Sequence, residues 1–310
     1  MSNEYIVLRS HIISAWLLFG LIAGGALLLF FIDPAAYVRF TYEDRLGEWL
    51  QTWLFVAVIV LALAVARRES GYRWFCLLLA GAAFYTVMEE ISWGQRLIGF
   101  ESPAFFAEQN VQGETNLHNL LTGPVNTPLK VFIEFALAAA LIGYGLIYPL
   151  LLQAGNSMAG GLNRLGVLPP PLYLWPFFVT ATLLEVGWLK INEAEIAELL
   201  VGTALMLTLL HYRLAGASSR HSGLLYIVWF AALAALAYLT AVWFYSLPGR
   251  AEQADARLAN GYEKFAGRFE QQGDFLPAAE LYRAGFDLGP RYLTMLHEAL
   301  RNYEKAGDTE

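Results

Sequence analysis

The sequence predicts an all-α fold, a polytopic membrane helix bundle of about seven transmembrane helices followed by a short helical tail. Three observations predict it. Hydrophobic residues make up 57% of the 310-residue chain and charged residues only 15%, against about a quarter in an ordinary soluble domain. Uncharged apolar runs of about twenty residues recur, each long enough to cross a bilayer. After Leu247-Pro248-Gly249-Arg250 the composition becomes polar, helix-forming and mildly acidic. The bundle is therefore expected over residues 1–248 and the tail over 249–310.

The first apolar run extends from Ile12 to Ile32, preceded by Arg9 and His11 and ended by Asp33-Pro34. It exceeds the roughly 7–15 residues of a signal-peptide core, and no small-residue cleavage site follows, so a retained first helix is expected. Further spans are expected at residues 49–66, 74–92, 128–152, 173–191, 195–212 and 223–246. The second and sixth are short, and the sixth is the weakest of the set. Runs of this length must be helices, because lipid offers the backbone no hydrogen-bond partners. Nine Trp and sixteen Tyr suit the membrane–water boundary.

Lys and Arg in the connections orient the bundle. With the N-terminus inside, the inner connections carry Arg9, Arg67, Arg68, Arg73, Arg164, Arg213 and Arg220. The outer ones carry Arg39, Arg45, Arg96, Lys130 and Lys190. Of the acids only Glu4 and Glu69 fall inside. This predicts a cytoplasmic N-terminus and a periplasmic or extracellular C-terminus. A net charge of −7 excludes a nucleic-acid partner, which needs clustered cations. Cys76, the single cysteine, excludes intrachain disulfides and a Cys-based zinc site.

The tail carries a spaced pattern. Phe269, Gly273, Ala278, Tyr282 and Pro290 are followed, thirty-four residues beyond the first two, by Tyr303 and Gly307. This resembles a tetratricopeptide repeat with the first helix of another, which implies a module for protein contact. A plain helical hairpin is the alternative. Its amphipathic helices must bury Phe265, Phe269, Leu281 and Tyr282. So little structure cannot cover its own apolar surface, so it should pack on the bundle or on a protein partner.

Candidate chemistry gathers at the outer ends of the helices. The third run closes on Glu89-Glu90-Ile91-Ser92-Trp93-Gly94-Gln95-Arg96, and a connection of about 35 residues follows, long enough to be functional or locally folded. There Glu108, Asn110, Gln112, Glu114, Asn116 and His118 fall on every second residue, with Asn119 next. An extended segment would turn these to one side; alternatively Thr115 or Asn116 caps a helix starting at Leu117. Glu134 and Glu185 lie within spans, where charge usually faces a bundle interior or watery cavity. Lys130 and Glu134 have the spacing of a helical ion pair. Asn192, Glu193, Glu195 and Glu198 collect where two spans meet, although Asn192 with Glu195 also has capping-box spacing. His211 and His221 fall at the inner face and are read as incidental.

The pair of motifs, Glu-Glu-Ile-Ser-Trp-Gly-Gln-Arg and Asn-x-Gln-x-Glu-x-Asn-Leu-His-Asn, resembles the signature of an uncharacterised family of bacterial multi-pass membrane proteins. The resemblance covers roughly residues 86–120 and implies an inner-membrane protein; it supplies no activity. The Glu43-Asp44 pair is loosely similar to membrane glycosyltransferases that use lipid-linked donors.

Two function classes follow. One is an inner-membrane protein with an outward-facing carboxylate, Asn and His pocket and a tail for protein contact. The other is a membrane-embedded hydrolase or transferase acting on a lipid or lipid-linked substrate at the outer leaflet. In it Glu89, Glu90 and His118 are the catalytic candidates, while Trp93, Gln95, Arg96, Asn116, Asn119, Glu185 and Asn192 are the substrate-binding candidates. Glu89, Glu114, His118 and Glu193 form an oxygen-rich set suited to Mg²⁺, Mn²⁺ or Ca²⁺. A lone histidine disfavours zinc, and the absence of a helical histidine pair disfavours haem. A transporter is less favoured, for want of an inverted repeat. The testable core is that Glu89 and His118 share one site.

Overall fold

The computed structural model describes residues 3–110, 113–117, 128–186, 192–214 and 222–307, and it contains helices and no strand among them. Helix α1 (Asn3–Phe19) passes through a π-helical turn at Gly20–Gly24 into α2 (Gly25–Ile32). Asp33 ends it and starts the next: its Oδ1 accepts from the Ala36 amide at 2.9 Å, and Pro34 opens α3 (Pro34–Thr41). A proline lacks the amide hydrogen that a first helical position would leave unpaired. Helices α4 (Leu46–Arg68) and α5 (Arg73–Glu90) form the next pair. The short α6 (Gln95–Ile98) and α7 (Ala104–Gln109) follow. Helix α8 (Pro128–Ile142) continues through a π-helical turn at Gly143–Ile147 into α9 (Tyr148–Gln153). Asn156 caps α10 (Ser157–Arg164), and α11 (Trp175–Glu185), α12 (Glu193–Arg213) and α13 (Leu224–Ser246) complete the bundle.

Among the described residues, five helical segments are long and apolar enough to cross a membrane: Leu8–Ile32, Pro34–Arg68, Val131–Gln153, Glu193–Arg213 and Leu224–Ser246. The pair Ser70–Glu90 and Ser92–Ile98 makes a sixth if taken as one span bent by 59°. The run expected at 173–191 is an apolar helix over Leu172–Glu185, shorter than a span, and residues 187–191 lie outside the described set. The run at 195–212, the weakest in sequence, is a full helix at the centre of the bundle. Helices α4 and α12 are its core, packed on each other and flanked by α5, α11 and α13. Small residues permit this. A Cβ on Gly202 would lie 3.2 Å from Leu54 Cβ, so the α12 backbone comes as close to α4 as a glycine allows. The outer helices turn large apolar side chains outward, among them Leu28, Phe31, Phe132, Phe135, Leu239 and Trp243. A belt of that kind is what a bilayer covers.

The tail is three helices: α14 (Arg250–Gln272), α15 (Phe275–Phe286) and α16 (Leu293–Gly307). Gly273, at φ 84°, turns the chain after α14, and buried Ala278 and Ala279 let α15 approach it. Phe265, Leu281 and Tyr282 are buried, while Phe269 stacks on Phe30 of α2 with ring centroids 5.9 Å apart. The bundle itself therefore takes up part of the tail's apolar surface. Gly261 allows a close approach to the bundle, since a Cβ there would come within 2.5 Å of the Tyr42 ring. Arg39 donates to the Tyr262 hydroxyl at 3.3 Å, and Arg45 pairs with Asp255 at 2.8 Å.

Candidate functional site

The acidic end of the bundle is organised by the bend after α5. Ser92, Trp93 and Gly94 all take left-handed backbone conformations, at φ 47°, 53° and 89°. For serine and tryptophan such a conformation is strained and must be held from outside. Trp93 Nε1 donates to Glu89 Oε1 at 2.7 Å, and Ser92 Oγ donates to Glu114 Oε2 at 2.6 Å. The following connection is fastened back onto the bend. Gln95 Nε2 donates to Ser102 Oγ at 2.7 Å and its Oε1 accepts from the Thr115 amide at 2.8 Å. Asn116 Nδ2 donates to the Glu89 carbonyl at 3.2 Å, and the Leu117 amide to Glu89 Oε1 at 3.3 Å. The two sequence motifs thus interlock.

The alternating pattern does not form an extended segment. Residues Ala104–Gln109 are helical, so Glu108 is on a helix, and the backbone turns at Asn110. Asn110, Glu114 and Asn116 are nonetheless buried. Gln112, His118 and Asn119, and the helix expected from Leu117, lie outside the described residues. So does His221, as does the side chain of Lys130.

Above the bend stands a network of ions. Arg96, 6% exposed, pairs with Glu48, with Glu114 at 3.1 Å, and with Glu43 and Asp44 at 3.6 Å each. Arg257, from the tail, bonds Asp44 at 2.7 Å and also pairs with Glu114 and, at 3.6 Å, Glu43. Two guanidinium groups therefore face four carboxylates. Burial works against ionisation of Glu114. The Arg96 and Arg257 guanidinium groups and the Ser92 hydroxyl outweigh it and hold the carboxyl below its ordinary range.

A second group of carboxyls lies beneath the first. Gln51 Nε2 donates to the Glu195 carbonyl at 2.7 Å and to its Oε2 at 3.0 Å. Glu90 on α5 neighbours Glu198 on α12. Asp44, Glu48, Trp49, Thr52, Glu90 and Arg96 close together where the two groups meet, leaving no space for a water molecule. Trp49 Nε1, beside these residues, and Gln51 Oε1, on the same helix, are buried without a hydrogen-bond partner.

The remaining candidates disperse. Asn192 does not form the capping box. It is left-handed at φ 65°, makes no side-chain cap, and donates instead to the Thr41 carbonyl at 2.9 Å. Glu185, at the end of α11, faces Glu134. Glu193 is buried at the start of α12. Among the described residues no three of His, Cys, Asp and Glu gather closely enough to hold a metal ion. Glu89 is turned to Trp93 and the Leu117 amide, and Glu114 to the arginines. His211, at the opposite end, is not isolated: its Nδ1 meets the Tyr173 hydroxyl at 3.2 Å, which also meets the Tyr226 hydroxyl at 2.9 Å.

Two contributors escape the sequence reading. Glu48 falls outside the expected second span, whose helix begins earlier, at Leu46, and carries Glu48 inside. No local pattern points to it, because Asp44 precedes the helix and, like Glu48, is an acid. Arg257 is 143 positions from Glu114 and reads as an ordinary tail cation. The surplus of acids over Arg96 is the one hint that another cation must arrive. No family model, curated protein or solved structure matches the chain.

Proposed function

We propose that this chain is a bacterial inner-membrane protein of seven spans with a cytoplasmic N-terminus. Its C-terminal tetratricopeptide-like tail, on the periplasmic side, is a fixed platform for protein contact and complex assembly. The observation that carries this reading is the seating of Arg257 between Asp44 and Glu114. A tail held by ion pairs at the acidic end is presented in one orientation, and pre-ordering reduces the entropy lost when a partner binds. Leu276, Leu293 and Leu300 stay more than half exposed on it and supply apolar contact area. The outward-facing pocket is then the carboxyl group set of Glu48, Glu90, Glu195 and Glu198 beneath the platform.

Fusions and crosslinking test this. Alkaline phosphatase fused after residue 310 should be active, and a green fluorescent protein fused there and exported in unfolded form should be dark. A photocrosslinking residue at Leu276, Leu293 or Leu300 should give discrete higher-mass adducts in cells. Fluorescence at the C-terminus refutes the orientation, and no adduct at any of the three positions refutes the platform.

A second reading, an enzyme acting on a lipid or lipid-linked substrate at the outer leaflet, is favoured by the neighbouring carboxyls Glu90 and Glu198 beneath the ion network, since paired carboxyls can share acid–base work. In that reading Glu89 is a positioning residue for Trp93, and the acid–base role passes to Glu90.

A further inference from the structure

A groove of about 610 Å³ opens between the bend at residues 95–100, Gly113-Glu114, and the junction from Leu247 to Arg257. Its polar lining is mainly cationic and amide: Arg96, Arg250, Arg257, Gln95 and Gln253, with Glu114 as the one carboxylate. Arg96 and Arg257 are committed to the carboxylates described above. Arg250 is not. Its guanidinium donates to Gln253 Oε1 at 2.9 Å and to the Gln95 carbonyl at 3.4 Å, both neutral acceptors, and lies 5.6 Å from the centre of the Phe244 ring. Among the described residues no carboxylate lies within ion-pair distance of it. Gly99 makes room for this guanidinium, because a Cβ at that position would stand 3.2 Å from Arg250 Nη2.

Position decides what such a groove would take. Arg250 stands four residues beyond α13, whose apolar length ends at Ser246. The depth just beyond the end of a span is where phospholipid phosphates lie. On the other side of the groove the bend presents apolar side chains that the protein does not cover: Ile98 is 80% exposed and Phe100 39%. A guanidinium with spare donors beside uncovered apolar side chains matches a molecule with a phosphate at one end and acyl chains at the other.

We propose that this groove binds the headgroup of an anionic phospholipid. Arg250 is its principal phosphate donor, Gln253 contributes its amide N–H, and Ile98 and Phe100 lie along the acyl chains. The site ties the bend and the tail junction to the bilayer surface. It stands independently of any partner on the tail.

Purified full-length protein in detergent, titrated with short-chain phosphatidylglycerol, short-chain phosphatidylcholine or inorganic phosphate and followed by native mass spectrometry, tests it. Phosphatidylglycerol should bind in a saturable 1:1 manner, and R250Q should weaken it about tenfold or more, as expected for losing a charge-assisted hydrogen bond. R250K should retain an intermediate affinity. R283Q, which alters an exposed tail arginine away from the groove, should bind as the unsubstituted protein does. A thermal unfolding curve for R250Q matching that of the parent shows that the loss is not misfolding; should R250Q unfold, R250K and I98S carry the comparison. Equal binding of phosphatidylcholine, or unchanged binding by R250Q, overturns the proposal. Binding of inorganic phosphate as tight as that of phosphatidylglycerol overturns the lipid assignment in favour of a soluble anion.

Discussion

Replacing Arg257 by alanine should loosen the tail from the bundle without unfolding either. Arg257 is 28% exposed at its side chain, and its two closest partners, Asp44 and Glu114, are 3% and 10% exposed. Each charge-assisted hydrogen bond contributes about 1.5–3 kcal/mol. The two do not simply add, because Arg96 stays within 3.6 Å of Asp44 and 3.1 Å of Glu114 and continues to neutralise both. The net loss in docking is then about 2–3 kcal/mol, a change of roughly 30- to 140-fold in the ratio of docked to released tail. Hydrogen–deuterium exchange of full-length protein in detergent reads this ratio from amides in the first four turns of α14, which the release exposes together. R257K should lose less, since a point charge keeps one partner of the fork. E114Q should reduce the effect of R257A in a double-mutant cycle. Exchange in R257A within about twofold of the parent would refute the clasp, and strict additivity with E114Q would refute the pairing.

Acid should act on the same contact. Glu114 is held below its ordinary value of 4.5 in the folded protein, so its contribution is complete above that pH and is lost as pH falls through the lower folded value. Exchange in α14 should therefore rise below about pH 4.5, and E114Q should flatten that rise; a pH-independent exchange ratio across this window contradicts it. Gly145→Ala should destabilise the bundle by about 1–3 kcal/mol, because the added Cβ would fall 2.0 Å from Phe178 Cγ. The double variant G145A/F178L should recover part of the loss in thermal unfolding, and no recovery would mean that the π-helical turn, rather than the ring, sets the requirement.

Much of the bundle was legible because lipid forces each long apolar run to satisfy its own backbone. The 195–212 run was short and the weakest of the set, yet it lies at the centre, with Thr203 and Thr208 on it 0% exposed. A central helix needs small and hydroxylated residues for close packing, and those lower its apparent hydropathy. The bend was not legible: the motif marked only the end of the third run, because left-handed Ser92 and Trp93 follow from tertiary hydrogen bonds rather than from their own preferences. The alternating polar residues misled for a related reason. A period of two also arises when a short helix and a turn each bury only some of their polar groups, and Asn110 and Asn116 serve backbone carbonyls, not one face. The Arg257 half of the ion network depends on contacts across more than a hundred positions, which no local pattern records.

That distance has a consequence for how the protein is made. Glu43, Asp44 and Glu48 are synthesised early, and Arg96 follows Glu48 by 48 positions. Arg257 follows Asp44 by 213. At about 5–20 residues per second, the second guanidinium emerges roughly 10–40 s after the acid it will neutralise. Through that interval the nascent bundle carries surplus negative charge at the corner between α3 and α4. That surplus is closed only when α14 arrives with Arg257.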